Sequence, residues 1–282
     1  MTHVCRSALS NPIPPPQFVF SFDGHIWTMG LDHANGLLVL EIRDATTRRV
    51  SFAAVDLGKN DSTSHALLWK DFQPEHSWWL SLVGVYNGVL LLHRYADSQR
   101  PEAKGILAVE VRSCRVLWQQ PDWAFMDTDG EVVILHQQGA DQSPVYQQID
   151  LRSGKSLAIT EIPTVPNPQP PSPDIQYPVH YPEQSPYFQP IARFLHQKLG
   201  IQPIQAFDYA EFQGLIVVSY YLCAPDSPLS NKVVVLDNKA CVLLHESMAT
   251  HLNGIGMDTF LIRKGSLLFV REKKELVSYT LA

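Results

Sequence analysis

The sequence has few cysteines, and none of them belongs to a recognisable pair. Cys5, Cys114, Cys223 and Cys241 form no Cys-X-X-Cys motif and have no histidine at zinc-ligand spacing. Isolated cysteines of this kind are typical of reduced structural thiols rather than of metal ligands or a disulfide framework. We therefore expect no bound metal, and no sequence feature indicates a cofactor.

Long hydrophobic runs and clustered positive charge are also missing. No apolar run approaches the roughly 18 residues of a membrane span, and the first residues lack the basic and apolar regions of a secretory signal. The net charge is −6, and lysine and arginine are scattered along the chain. Nucleic acids and anionic membranes select for clustered positive charge. We therefore expect a cytoplasmic protein with neither nucleic acid nor a membrane as its partner.

The common catalytic motifs are absent as well. The sequence contains no G-X-S-X-G elbow, no phosphate-binding P-loop, no G-X-G-X-X-G after a strand and no H-E-X-X-H. Each of these motifs marks a specific chemistry. Function has to be inferred from the fold and from scattered polar residues.

Five segments each contain an apolar run, a tight turn ending in glycine and a second apolar run. The turn glycines are Gly24, Gly88, Gly130, Gly214 and Gly265. Asp-Gly and Asn-Gly between apolar runs favour two-residue hairpins. Gly88 and Gly130 are 42 residues apart, within the ~40–45 residues of a four-stranded propeller blade.

Four of these segments are followed by a second hairpin, which completes a four-stranded meander. The pattern predicts an all-β fold, a β-propeller of about five mostly four-stranded blades. The fifth segment is followed only by ELVSYTL, residues 275–281. We expect this segment to share a blade with an N-terminal strand around Phe18 to Phe22, because such pairing leaves no open sheet edge.

We expect residues 1–16 to form a disordered N-terminal tail and residues 17–282 to form a single propeller domain. Two insertions interrupt the repeat, at residues 57–78 and 163–203. The second insertion is Pro-rich and ends in a predicted helix from about Pro190 to Leu199, stopped by Gly200. It could span the ring, cover a channel or dock a partner.

Two stretches, GILAVEVRSCRVLWQQ and PVYQQIDLRSGKSLAI, resemble the blade repeat of quinoprotein-type (PQQ-type) propellers. This WD40/PQQ-like resemblance implies a propeller fold and an uncharacterised bacterial family of unknown function. The quinone-dependent dehydrogenases of that superfamily have larger rings, adjacent cysteines and a calcium site. This chain has no adjacent cysteines, so the resemblance does not imply a quinone cofactor.

The meander pattern predicts that every long connection lies on one face, because connections alternate between the two faces of such a fold. Binding residues concentrate on loops held by a rigid scaffold. The candidate binding residues are therefore His33, His93, Arg94, Tyr95, Asp97, His136, Asp127, Asp208 and Asp258. The histidines could act as ligands or acid–base groups, or they could cap strand ends. Trp78 and Trp79 could stack on a sugar or peptide, or pack between blades.

Two hypotheses about function follow. The first is a non-enzymatic propeller that binds a protein or a small-molecule or glycan ligand on its loop-rich face. The second is a carbohydrate-active hydrolase or lyase in which Asp127, Asp208 and Asp258 supply carboxylates at a central channel.

Overall fold

The computed structural model describes residues 13–58, 66–74, 78–95, 103–139, 141–157, 174–223 and 228–281. Their strands are β1 (Phe18–Ser21), β2 (His25–Asp32), β3 (Leu37–Asp44), β4 (Arg49–Asp56), β5 (Ala66–Phe72), β6 (Leu80–Tyr86), β7 (Val89–Tyr95), β8 (Ala103–Glu110), β9 (Arg115–Gln120), β10 (Ala124–Thr128), β11 (Val132–Gln138), β12 (Pro144–Asp150), β13 (Ile175–Gln176), β14 (Val179–Pro182), β15 (Ile204–Phe212), β16 (Leu215–Leu222), β17 (Leu229–Leu236), β18 (Val242–Leu252), β19 (Phe260–Arg263), β20 (Ser266–Arg271) and β21 (Glu275–Thr280). One helix, α1, spans Phe188–Leu199.

The chain divides into two compact units. Unit 1 combines Met1–Ser21 with Pro173–Ala282, and unit 2 is Phe22–Ser172. No helix in the described ranges is long and apolar enough to cross a membrane.

Unit 2 consists of successive antiparallel meanders, in the orders β2-β3-β4-β5, β6-β7-β8-β9 and β10-β11-β12. Both faces of the central strands are buried. On β7, Leu90 and Leu92 pack toward the first sheet, whereas Val89 and Leu91 pack toward the third. This two-sided burial explains why the sequence of β7 begins as an uninterrupted apolar run. The hairpins predicted at Gly88 and Gly130 are confirmed.

A backbone hydrogen bond recurs after the third strand of four meanders. There, an N–H group donates to a carbonyl in the turn between the first two strands. The pairs are Leu57 to Gly36, Val111 to Gly88, Leu151 to Glu131 and, in unit 1, Leu281 to Gly265. This repeated contact identifies β2-β3-β4 as the first three strands of the first meander.

The hairpin predicted at Gly24 is wrong. The flanking strands β1 and β2 belong to different sheets, and Gly24 is absent from the residues with positive φ. A Cβ atom at Gly24 would lie 2.8 Å from the carbonyl oxygen of Arg43. Glycine is needed here for close approach to β3 and not for a type I′ turn.

This correction shifts the phase of the first meander. The predicted insertion 57–78 contains β5, and it starts beside the tight turn between β2 and β3, where Leu57 N donates to Gly36 O. That turn lies at the same end as the β6–β7 turn, because Gly88 N donates to Asp32 Oδ2 at 2.6 Å. The prediction that every long connection lies on one face is therefore wrong for this connection.

Unit 1 contains two five-stranded antiparallel sheets, in the orders β14-β15-β16-β17-β18 and β1-β21-β20-β19-β13. The facing sides of these sheets share a core that includes Val217, Val233 and Phe269. The other side of the first sheet is covered by α1 through Phe188 and Leu195. The predicted helix is confirmed, and Gly200 ends it in a left-handed conformation with φ 69°.

The predicted pairing of the two ends of the chain is also confirmed. Strand β1 is the fourth strand of the last meander, with Phe18 opposite Ser278 and Ser21 opposite Glu275. The side chain of Ser278 also donates to Gln17 Oε1 at 2.8 Å. Unit 1 is therefore held together by strands from distant parts of the sequence.

The described part of the insertion 163–203 begins at Asp174 and is integral to unit 1. It supplies β13, which pairs with β19, and β14, which pairs with β15. It also supplies α1, whose side chains are buried in the core. The structure thus confirms the predicted fold class, an all-β chain of antiparallel propeller-blade sheets with an inserted segment and a short helix.

Candidate functional site

Several predicted site residues of unit 2 lie at one end of its sheets, which we call the loop-bearing end of unit 2 and define as the end where β6 begins and β7 ends. His93, Arg94 and Tyr95 are the last three residues of β7, and His136 is an exposed residue of β11. His33 is in the β2–β3 turn at the opposite end, so its predicted grouping with the other histidines is wrong. Asp97 lies outside the described residues.

His93 is a structural residue in this arrangement. Its Nε2 atom accepts a hydrogen bond from the backbone N–H of Phe125 at 3.1 Å. Burial lowers the pKa of His93 to about 4, and His136 contributes to the shift. The imidazole is therefore neutral near pH 7 and joins β7 to β10, as strand-capping residues do.

Asp127 lies on β10 and is half-buried. Its Oδ1 atom accepts the backbone N–H of Thr128 at 2.8 Å. Burial raises the pKa of Tyr86, and the Asp127 carboxylate adds to that shift. The carboxylate thus has a local backbone partner and a nearby phenol.

An arginine–tryptophan cluster lies at the loop-bearing end of unit 2. Trp78 of this cluster was a candidate from the sequence, whereas Arg43 and Trp27 were not. The guanidinium carbon of Arg43 lies 5.7 Å from the ring centre of Trp27 and 5.0 Å from that of Trp78. Trp78 also packs against the core, which agrees with the packing alternative considered from the sequence. Neighbouring Trp79 is 38% exposed, and its carbonyl accepts the N–H of Tyr95 at 2.9 Å.

In unit 1, Asp208 is almost completely buried and its side chain is fully engaged. Its Oδ1 atom lies 2.7 Å from Nδ1 of His180. Its Oδ2 atom accepts two hydrogen bonds from Thr259, from the backbone N–H and from the hydroxyl, each at 2.8 Å. The carboxylate therefore joins β14, β15 and the segment before β19.

A second contact fixes the loop that precedes β19. The Tyr221 hydroxyl accepts the N–H of Gly256 at 2.9 Å and donates to the carbonyl of the same residue at 3.3 Å. Burial raises the pKa of Tyr221, with a further contribution from the Asp208 carboxylate. The phenol stays protonated near neutral pH and keeps both contacts.

Asp258 lies in this same loop and is exposed, with a left-handed φ of 51°. Partial burial raises the pKa of Tyr177, and the Asp258 carboxylate adds to the shift. Asp258 directly precedes Thr259, which hydrogen-bonds Asp208, and of the two carboxylates only Asp258 is exposed. In the part of the chain that the structure describes, no group of three or more histidine, cysteine, aspartate or glutamate side chains is placed to hold a metal ion.

Two side-chain contacts at these candidate sites were missed by sequence reasoning. His180 pairs with a residue 28 positions away in another strand, and Trp27 contacts Arg43 on the neighbouring strand. Polar and apolar residues do not alternate in His25-Ile-Trp-Thr-Met29, and the pairing of β2 with β3 shifts in register between Ile26 and Thr28, so no signal in the sequence indicated that Trp27 is exposed.

Residues 31–118 match the family model described as Domain of unknown function (DUF4905). The match extends from the end of β2 into β9 and includes Arg43 and Trp78, whereas Trp27 precedes it. No curated protein matches this sequence.

Three solved structures are examples of those to which this chain is similar. The AtxE2 isopeptidase is 10% identical with a TM-score of 0.39, and the match covers 97% of this chain and 53% of that one. An exo-β-1,3-galactanase from Phanerochaete chrysosporium is 11% identical with a TM-score of 0.28, covering 94% and 64%. The β-propeller domain of the Trilobed protease from Pyrococcus furiosus is 10% identical with a TM-score of 0.30, covering 91% and 69%. This chain thus spans about half to two thirds of their length.

Proposed function

We propose that this chain is a non-enzymatic binding propeller that recognises a protein segment with the loop 253–259 of unit 1. The observation that carries the proposal is the contrast between the two sides of this loop. Its backbone is held by hydrogen bonds to the buried side chains of Tyr221 and Asp208, whereas Ile255 and Met257 are 42% and 67% exposed. The cytoplasmic setting and the PQQ-type repeat stay predictions from the sequence.

Fixed loop geometry lowers the entropy lost on binding. Tyr221 holds Gly256, and Asp208 holds Thr259, so the loop is anchored on both sides of Met257. A preorganised loop loses less conformational freedom when a partner docks.

The exposed side chains indicate the chemistry of the partner. Isoleucine and methionine offer apolar, adaptable contact area, which suits the side chains of a protein segment. Val179 and Tyr177, in the same unit, are 53% and 43% exposed. Tyr177 lies close enough to Asp258 for the carboxylate to shift its pKa, which adds an aromatic side chain with a polar end beside the loop.

The hydrolase or lyase hypothesis finds less support in this unit. A glycosidase needs two carboxyl groups whose oxygen atoms reach the substrate or a water molecule. Both oxygen atoms of Asp208 are occupied by His180 and Thr259. Asp258 is exposed, but Asp208 is buried and hydrogen-bonded, so it is not available to act with Asp258 on a substrate.

A peptide array probed with the purified chain tests the proposal. We expect binding to apolar peptides that falls at least tenfold in the double variant Ile255→Asp, Met257→Asp. The matched control is Val116→Asp on β9 of unit 2, a residue that is 46% exposed. Binding that survives the loop variant, or that the control loses equally, would contradict the proposal, as would an array without any bound peptide.

A further inference from the structure

The indole of Trp27 in unit 2 is the starting point for a second binding site. Trp27 lies on β2 and is 69% exposed, more than any other large hydrophobic residue among those described. His25 and Met29 are exposed on the same strand at alternating positions. A single exposed hydrophobic residue is ordinary, so a binding site at Trp27 has to be inferred from the groups that contact its ring.

The ring of Trp27 rests against a guanidinium group that is held in one position. Nε of Arg43 donates to Glu41 Oε1 at 2.5 Å. Its Nη1 and Nη2 atoms donate to the carbonyls of Trp78 and Leu80, at 3.2 and 2.8 Å. Planar arginine side chains with several hydrogen bonds have little remaining freedom.

Glu41 completes this support from the core. Its side chain is fully buried, and Oε2 accepts the N–H of Leu82 at 2.7 Å and the hydroxyl of Ser81 at 3.1 Å. The buried carboxylate therefore fixes Arg43, and Arg43 fixes the underside of the indole. Functional groups with such supporting contacts are preorganised for binding.

A cation on one side of an aromatic ring selects what can stack on the other side. The ring attracts Arg43 through its negative face. Arg43 already engages the π electrons of the ring from one side, so a second cation on the opposite face gains less from the cation–π interaction. The flat apolar face is therefore suited to a neutral ring rather than to an ammonium group.

A nucleobase is one flat ring of this kind, but nucleic acids bring phosphates that favour positive surfaces. The chain has a net charge of −6. A saccharide ring has an apolar face for stacking and hydroxyl groups around its edge. Exposed His25, on the same strand, can exchange hydrogen bonds with such hydroxyl groups.

We propose that Trp27, supported by Arg43, is a stacking platform for the pyranose ring of a neutral glycan. The site lies in unit 2 and does not depend on the protein-binding loop proposed for unit 1. It also differs from the catalytic hypothesis, because it requires no carboxylate pair.

The test uses the full-length chain on an array of neutral oligosaccharides, followed by titration of the bound sugars by isothermal titration calorimetry. Trp27→Ala should weaken binding at least tenfold, whereas Trp27→Phe should retain part of it. Val116→Ala on β9 is the control and should bind as the wild type does.

The variants change an exposed side chain, and matching circular dichroism and melting curves will show that they fold. Choline serves as a cationic probe and should not bind. Four results would each overturn the proposal: no array sugar bound up to 1 mM, sugar binding unchanged in Trp27→Ala, binding weakened equally in Val116→Ala, or choline binding that depends on Trp27. The double variant Ile255→Asp, Met257→Asp should leave sugar binding intact, which separates this site from the loop of unit 1.

Discussion

At the residue scale, His93 couples the stability of unit 2 to pH. Its pKa is about 4 in the folded chain, because of burial and the nearby His136, against about 6.5 for an exposed histidine. As pH falls, the unfolded chain takes up the proton first. The stabilising contribution of neutral His93 is therefore complete above about pH 6.5 and is lost as pH falls toward 4.

Replacing His93 by glutamine should reduce this dependence. The glutamine carbonyl can accept the Phe125 N–H without titrating. We expect the wild type to lose about 2 kcal/mol more stability than His93→Gln between pH 7 and pH 4, after allowance for solvent screening. Urea unfolding at both pH values measures the difference. The control His33→Gln, in an exposed turn, should lose as much stability between pH 7 and pH 4 as the wild type does. If His93→Gln also lost as much as the wild type, the Phe125 contact would not be formed.

Asp208 provides a second prediction at the residue scale. Asparagine at this position cannot accept the hydrogen bonds of His180 and Thr259 together, and its amide group would face a donor. We expect Asp208→Asn to lower the free energy of unfolding by about 3 kcal/mol, because a buried polar network loses its acceptor. Urea titration checks this value. Asp258→Asn is the control, since asparagine tolerates its left-handed φ, and equal stability of the two variants would contradict the assigned contacts.

At the scale of single elements, turn glycines show how much of the fold the sequence predicts. Gly88 has φ 80°, and the Asn-Gly pair before β7 predicted a hairpin for the right physical reason. Gly24 follows Asp23, and Asp-Gly is an equally strong hairpin signal in sequence. Gly24 serves instead to admit the backbone of β3, and a dipeptide cannot distinguish a turn from a close approach by a distant strand.

The pairing of β1 with β21 can be tested by a cross-link. Ser21 lies opposite Glu275, and the Ser21 hydroxyl donates to Glu275 Oε1 at 3.1 Å. Directly opposed residues of antiparallel strands have Cα atoms about 4.5–5.5 Å apart, within the range that a disulfide can bridge, so Ser21→Cys with Glu275→Cys should form a disulfide on mild oxidation. Mass spectrometry of a tryptic digest should show the linked peptides. The single variants are controls, and a double variant that stays reduced would contradict this register.

At the scale of the whole molecule, candidate sites were harder to predict than the fold. Hydrophobic alternation and turn chemistry are local signals, and they placed most strands and the helix. The contacts of Asp208 with His180 and of Arg43 with Trp27 and Trp78 join separate strands and loops. Such contacts depend on which segments the fold brings together, so the sequence indicated Asp208 but not the residues that occupy its oxygen atoms.

The prediction that residues 17–282 form a single domain has a thermodynamic consequence. Unit 1 is discontinuous, and both ends of unit 2 are covalently joined to it. Leu92 of unit 2 and Leu267 of unit 1 are fully buried in separate cores. Truncating either to alanine should cost about 3 kcal/mol, which corresponds to about 8 °C in the melting temperature of a chain this long.

For a single domain, calorimetry should show one transition that moves in both Leu92→Ala and Leu267→Ala. The exposed control Val116→Ala should melt with the wild type, since its side chain packs little. Two transitions, each moved by only one of the core variants, would mean that the units unfold independently. That result would replace the single propeller domain with two domains, because cooperative unfolding requires that the loss of one core destabilises the other.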